Sequence, residues 1–377
     1  MLIPRKLTAT VIEKLKTTDK GVVIYGARQT GKTTLAKEVI SSMGLRVLTV
    51  NGDQTRFIDQ LSSRNLNTLE SLVSGYQLLF VDEAQRIPEI GINLKIILDN
   101  IPGLKVLVTG SSSLDLASKI SEPLTGRVWN YQLFPISFLE LSNLYNRVEL
   151  EEKLPARLIF GSYPELINMA GESQKREYLQ NLSDAYLYRE LIEFGEIKNS
   201  SKIRDLLKLL AFQIGSEVSL TELGRQLGMG KDTVSRYIEL LEKSFILFRL
   251  KGFSRNLRKE VSKMDKVFFY DLGIRNVLID NLKSLDNRDD VGKLWENFLL
   301  IERAKFMKYN NRLYSPYFWR TYTGAELDYI EEREGMIAGY EFKLHPKGSK
   351  APATLISTYP NSTFTEISRE NYLDFIT

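Results

Sequence analysis

The eight residues Gly26-Ala27-Arg28-Gln29-Thr30-Gly31-Lys32-Thr33 fit the pattern GxxxxGK[ST] without departure. An apolar run, Val22-Val23-Ile24, precedes them, and Thr34, Leu35, Ala36, Val39 and Ile40 follow at helical spacing. Strand, glycine loop and helix form the context in which this pattern cradles phosphates. The glycines let backbone N–H groups from Gly26 to Thr34 wrap an anion, and the helix N-terminus adds partial positive charge. In that geometry Lys32 reaches the β- and γ-phosphates of ATP, and Thr33 Oγ is placed to ligate Mg²⁺. A parallel α/β sheet is therefore expected over the first part of the chain.

Two further strand ends fit the same site. Leu78-Leu79-Phe80-Val81-Asp82-Glu83 reads as a buried strand closing on two carboxylates. Asp82 is the candidate Mg²⁺ ligand, and Glu83 the group that orients or deprotonates the attacking water. Val106-Leu107-Val108-Thr109-Gly110-Ser111-Ser112 reads as a third strand ending in hydroxyls. Parallel sheets bind ligands at the carboxyl ends of their strands, so Ser111 or Ser112 is a candidate γ-phosphate sensor. The plainer alternative is a helix N-cap for the turn at Leu114. Strands are expected at 21–25, 47–51, 77–81, 105–109 and 128–133.

The chain has 377 residues, no Cys and a single His, His345. Disulfides, Cys zinc sites and His-based triads are excluded, and a cytoplasmic protein is expected. No apolar run reaches the roughly 18 residues of a membrane helix, and MLIPRKLTAT lacks an apolar signal region. Residues 199–270 hold 14 Lys/Arg against 8 Asp/Glu, a surplus that suits a polyanion partner or simply a solvated surface.

Within that basic stretch Ile203, Leu206, Leu207, Leu210, Ala211 and Ile214 recur at helical spacing. Ser219-Leu220-Thr221-Glu222 reads as a capping box opening a second helix, which ends at Gly228-Met229-Gly230. A third helix from about Asp232 aligns Val234, Ile238, Leu241 and Phe245. Helix, glycine turn, helix is the helix-turn-helix pattern, here read as a winged helix. Lys231, Thr233, Ser235 and Arg236 lie on its outer face, and Arg249, Lys251, Arg255, Arg258 and Lys259 follow as a basic wing. DNA is the favoured partner, although Glu239 and Glu242 dilute the positive face and winged helices also dock proteins.

Nearer the C-terminus, Glu326-Leu327-Asp328-Tyr329-Ile330 and the stretch from Ile337 to Leu344 read as strands. Period two puts Glu341 and Lys343 on one face. An Asp, about a dozen residues, then Glu-x-Lys is similar to the nuclease pattern of restriction endonucleases. Asp328 and Glu341 would hold Mg²⁺, and Lys343 would stabilise developing charge. Glu296, in the helical run Leu294-Trp295-Glu296-Asn297-Phe298, is the candidate assisting acid. Glu-x-Lys pairs are also common exposed ion pairs.

The P-loop, Asp82-Glu83-Ala84-Gln85, Thr109-Gly110-Ser111-Ser112-Ser113, Leu124-Thr125-Gly126-Arg127, Pro135-Ile136-Ser137-Phe138 with Glu140, and Gly161-Ser162-Tyr163-Pro164 occur in this order. That series resembles the prokaryotic AAA-type ATPases that carry a winged helix and a restriction-endonuclease-like C-terminal domain. The resemblance implies an α/β P-loop ATPase core at 1–145, a helical lid at 146–200, a winged helix at 201–284 and a restriction-endonuclease-like α/β domain at 285–377. It also implies a homo-oligomer in which Arg127 reaches a neighbour's γ-phosphate; an ion pair stapling the loop before the fifth strand is the alternative. Three functions follow as expectations: an ATP-driven machine acting on nucleic acid with a nuclease module, a regulatory switch whose C-terminal domains only dock, and a protein remodeller. The last needs an aromatic pore loop, and only Trp129 and Tyr131 lie near the right region.

Overall fold

The computed structural model describes residues 2–111, 123–195, 200–255 and 264–377, with residues 185–195 and 200 described by backbone alone. Ser112, Arg258 and Lys259 lie outside the described residues. The chain divides into two compact units, residues 1–135 with the short pieces 193–195 and 243–245, and residues 136–192, 196–242 and 246–377.

In the first unit β1 (Gly21–Tyr25), β2 (Val47–Asn51), β3 (Leu78–Asp82), β4 (Lys105–Gly110) and β5 (Val128–Gln132) form one sheet in the order β2-β3-β4-β1-β5. Every pairing is parallel. β3 is buried at each position, which is why its sequence is an unbroken apolar run rather than an alternation. The helix Lys32–Met43 buries Leu35, Ala36 and Val39 completely, and Ile90–Asn100 buries Ile90, Leu94 and Ile97. The strands fall where the sequence places them, to within a residue at each end.

The second unit begins at Ile136, ahead of the expected boundary at 145. The cause is local. Ser137 and Glu140 form a reciprocal capping box, the Phe138 N–H donates to Glu302 Oε2 (2.7 Å), and the Phe138 ring sits 5.0 Å from Phe298. The Gly161-Ser162-Tyr163-Pro164 turn is held similarly. Asp271, 5% exposed, accepts from Ser162 N (2.7 Å) and Gly273 N (2.8 Å). Burial pushes the Asp271 carboxyl above its ordinary range, and these N–H donors oppose that shift.

Helices Ser200–Phe212, Leu220–Leu227 and Lys231–Lys243 precede β6 (Leu247–Gly252) and β7 (Lys266–Phe269), which pair antiparallel. Ile203, Leu206, Leu207, Leu210, Ala211 and Ile214 are all buried. Ser219 Oγ caps the second helix by accepting from Glu222 N (3.3 Å). After them come the helix Val291–Tyr309, β8 (Ser315–Arg320), β9 (Glu326–Arg333), β10 (Met336–Phe342), the helix Ala353–Thr358 and β11 (Thr363–Ile367). β8, β9 and β10 run antiparallel in turn, and β11 lies parallel to β10. The six strands make one sheet, β11-β10-β9-β8-β6-β7, because β6 pairs with β8 at Lys251↔Tyr317 and Gly252↔Phe318. The stretches on either side of residue 285 thus share a sheet. Left unpaired, the second edge of β6 would present a row of free N–H and C=O groups.

Candidate functional site

The phosphate loop leaves the end of β1 under tight constraint. Gly26 has φ +150°, and a Cβ there would lie 2.2 Å from Leu133 O, so no side chain fits. Gly31, at φ +93°, opens the helix Lys32–Met43. Lys32 is 6% exposed, and its ammonium donates to Gly26 O (2.9 Å) and Ala27 O (2.8 Å). It is therefore folded over the loop that would hold the β- and γ-phosphates. Thr30 Oγ1 donates to Ala27 O (2.8 Å) and stiffens the same turn.

Asp82, at the end of β3, accepts from Thr33 Oγ1 at 3.1 and 2.9 Å. The two expected Mg²⁺ ligands are thus adjacent, one from the helix start and one from the neighbouring layer of the sheet. Thr109, at the end of β4, also donates to Asp82 Oδ1. Glu83 follows in the left-handed conformation at φ 51°. Its Oε2 accepts from Gln85 Nε2 (2.5 Å), while Gln85 Oε1 accepts from Ser111 N (3.3 Å). Gln85 therefore ties the candidate base to the end of the sensor strand. A non-glycine residue at positive φ is uncommon, and at a site it marks a conformation imposed by its surroundings.

Three residues here take parts that the sequence did not assign to them. Arg5 is 9% exposed and donates to Thr30 O and Phe134 O, both at 2.6 Å, clamping the loop from 25 and 129 residues away. Thr109 sits two and three residues before Ser111 and Ser112, the hydroxyls chosen from the sequence. Gln85 lies inside the recognised Asp-Glu-Ala-Gln motif, which gave its position without its role. Ser111 is 1% exposed, and Ser112 lies outside the described residues.

Arg127 is elsewhere. It immediately precedes β5, and its carbonyl accepts from Gly21 N at the start of β1, whereas the phosphate loop leaves β1 at its far end. Its guanidinium grips Asp99 twice, Nε to Oδ1 at 2.7 Å and Nη2 to Oδ2 at 3.0 Å. That hydrogen bond holds the Asp99 carboxyl below its ordinary range. The arrangement is the loop staple, and Arg127 does not reach this chain's own phosphate loop.

In the second unit the register of β9 and β10 runs from Met336↔Arg333 to Tyr340↔Tyr329, which sets Glu341 opposite Asp328. Opposed residues share a face. Lys343 joins them, its Nζ 2.5 Å from Glu341 Oε1. Asp328 Oδ2 accepts from Phe342 N (2.8 Å). Burial raises the carboxyls of Asp328 and Glu341, and each carboxyl is raised further by an acidic neighbour. Glu296, on the helix Val291–Tyr309, is pushed up to about 8 by burial, with Asp328 and Glu326 adding to the shift and Lys266 opposing it. The sequence-chosen acids are thus electrostatic neighbours. Among the described residues, however, no three Asp, Glu or His side chains are disposed to hold a metal ion.

Two residues of the basic face, Arg249 and Arg255, are ion-paired. Arg249 Nη2 lies 2.6 Å from Glu242 Oε2, and Arg255 pairs with Glu332. Lys231, Arg236 and Lys251 are exposed, while Thr233 and Ser235 are half-buried.

Residues 18–142 match the AAA domain family, the range that contains the loop, Asp82, Glu83 and Thr109. The first unit carries a P-loop ATPase domain of the AAA type. Residues 151–285 and 291–365 match two domains of unknown function, DUF8612 and DUF4143. The chain is 28% identical to an uncharacterized protein of Mycobacterium tuberculosis over 91% of its own length and 74% of that protein's. An uncharacterized protein of Methanocaldococcus jannaschii is 26% identical over 78% and 68% of the two lengths. The fold is similar to that of a Walker-type ATPase of Pyrococcus abyssi, with a TM-score of 0.51 at 16% identity, covering 74% of this chain and 96% of that one. In this AAA-type ATPase domain the residues around Lys32, Thr33 and Asp82 fit ATP with Mg²⁺: a folded-back ammonium, a hydroxyl and a carboxylate meet at a helix N-terminus. No helix among the described residues is long and apolar enough to cross a membrane.

Proposed function

We propose that this chain is a Mg²⁺-dependent ATPase whose nucleotide state governs what its second unit binds, with nucleic acid, DNA above all, as the favoured partner class. The observation that carries the hydrolytic part is the Thr33–Asp82 contact with Glu83 beside it, tied to Ser111 through Gln85. Lys32 exchanges its two carbonyl partners for the β- and γ-phosphates. Thr33 and Asp82 would hold the metal, whose charge would offset that of the phosphates. Glu83 orients the attacking water and accepts its proton, and Gln85 sets the angle at which it does so.

Docking is favoured over cleavage for the second unit. The element order after residue 290 is helix, three antiparallel strands, helix, parallel strand, with Asp328 opposite Glu341, and this order supports the restriction-endonuclease-like reading. Asp328 and Glu341 already have protein partners, however, and among the described residues no three Asp, Glu or His side chains are disposed around a divalent ion. The three helices with β6 and β7 support the winged-helix reading, and exposed Lys231, Arg236 and Lys251 remain for phosphate contact. Self-association remains part of the proposal only through Arg127, which would have to leave Asp99 to serve a neighbour.

The test is ATP turnover with and without single-stranded and duplex DNA and RNA, together with a nicking assay in Mg²⁺ and Mn²⁺. Turnover that changes with one nucleic acid, and no metal-dependent nicking by the unaltered chain, is the expected result. Nicking that disappears in Asp328→Ala restores the nuclease function.

A further inference from the structure

An ammonium group stands inside the acidic cluster of the second unit. Lys266 Nζ lies 2.8 Å from Glu326 Oε1 and 3.6 Å from Glu296 Oε1, and its side chain is 6% exposed. Lys266 is not one of the elements that carry the acids. It opens β7, paired with Leu250 of β6. Gly215 comes from the same part of the chain, and a Cβ on it would lie 3.0 Å from Glu296 Oε2. The Gly215 N–H donates to Val267 O (2.9 Å), so glycine and lysine are fixed to one another. Together they set a cation 3.6 Å from Glu296 Oε1 and leave no room for a side chain at Gly215 beside Oε2.

The other acids are also engaged, Asp328 by the Phe342 N–H and Glu341 by Lys343. A divalent ion is held by several hard oxygens converging on one point. Here Glu326, Asp328 and Glu341 turn instead to ammonium and amide donors, while Glu296 Oε1, buried without a hydrogen-bond partner, faces the Lys266 ammonium at 3.6 Å. Close carboxylates in a buried setting repel unless positive charge lies among them, and Lys266 supplies that charge from a fixed position on a strand. An ammonium donates hydrogen bonds but offers no coordination position at which water becomes a hydroxide. Burial alone would lower the Lys266 pKa, yet its acidic neighbours, Glu296 first among them, raise it overall, which keeps the side chain charged.

We propose that Lys266 is the resident counter-cation of this cluster, taking from β7 the place a divalent ion would hold and closing the cluster to metal. The inference deepens the docking reading above, since it supplies the reason that a nuclease-like arrangement of acids stays without a hydrolytic centre.

The experiment is a Mn²⁺ titration of the full chain by calorimetry, in an Asp82→Asn background that removes the carboxylate ligand of the first unit. Lys266→Met is expected to bind one Mn²⁺ at least about tenfold more tightly than the same chain with Lys266, and to lose that gain when Asp328→Asn is added. Equal Mn²⁺ affinity with and without Lys266 overturns the proposal. Should Lys266→Met fail to fold in metal-free buffer, millimolar Mn²⁺ restores its cooperative melt under the proposal; no restoration contradicts it. ATP turnover by Lys266→Met with Asp82 intact reports separately on the nucleotide reading.

Discussion

The two units present charged groups in opposite ways. In the first, the cation of the site leans on main-chain carbonyls. Lys32 donates to Gly26 O and Ala27 O, neutral groups of the loop itself. In the second, the cations at the nuclease-like sheet face carboxylates: Lys266 faces Glu326 and Glu296, Lys343 faces Glu341 and Arg303 faces Glu331. Both regions collect the residue types of phosphate and metal chemistry. At the nucleotide site the cation sits on neutral groups, whereas in the acidic cluster cation and carboxylate face one another. Residue type and spacing therefore identify a site far better when the partners of each charge are known, because a neutralised cluster and a poised one look alike in sequence.

The sharpest test of that contrast is removal of each cation. Lys32→Ala is expected to abolish tight ATP binding in an equilibrium titration, because it removes the ammonium folded over the loop. Lys343→Ala is expected to leave both ATP affinity and turnover unchanged. Comparable losses from the two would erase the distinction drawn between the units.

Next in size is Gln85→Ala. General-base groups contribute about 10²–10⁴ in rate. Gln85 acts through Glu83, so a smaller fall in kcat is expected with KM for ATP unchanged, and Gln85→Glu should not rescue it because a second carboxylate repels the first. A fall in affinity rather than in kcat would make Gln85 a support of the loop.

Arg127→Ala and Asp99→Ala should behave as a matched pair, with equal and modest drops in melting temperature and little change in turnover per chain. An Arg127→Ala defect in turnover that Asp99→Ala lacks, and that appears only at protein concentrations where the chain associates, would return Arg127 to the role of a finger offered to a neighbour.

The smallest expected effect is in pH dependence. The Glu296 carboxyl is raised to about 8 in the folded chain and lies near the ordinary glutamate value when unfolded. The folded state therefore binds more protons between those values, so this group's contribution to stability is present below the unfolded pKa and is lost as pH rises toward 8. Glu296→Gln should flatten that part of the stability profile in denaturant titrations from acid to mildly alkaline pH. An unchanged profile would mean that Lys266 holds Glu296 ionised throughout.

Sequence and structure agree best where the signal is contiguous. β3 is a single apolar run ending in Asp82-Glu83 because both its faces are covered, and the loop from Gly26 to Thr33 is one unbroken pattern. The face shared by Glu341 and Lys343 was readable because strand alternation is local, whereas Asp328 joins it only through the β9–β10 register. What escaped depends on partners distant along the chain. Arg5 meets Phe134 across 129 residues, Lys266 meets Glu326 from another strand, and the pairing of β6 with β8 has no marker in either strand. Thr109 was passed over for the serines after it, since strand spacing alone does not say which of three hydroxyls turns toward Asp82.

The central claim is that Glu83 serves hydrolysis and not binding at the nucleotide site. A single-turnover assay on Glu83→Gln with radiolabelled ATP and Mg²⁺ measures both at once. The account predicts that ATP binds with near wild-type affinity and is recovered intact, while the unaltered chain converts it to ADP. Conversion by Glu83→Gln at the wild-type rate would contradict it.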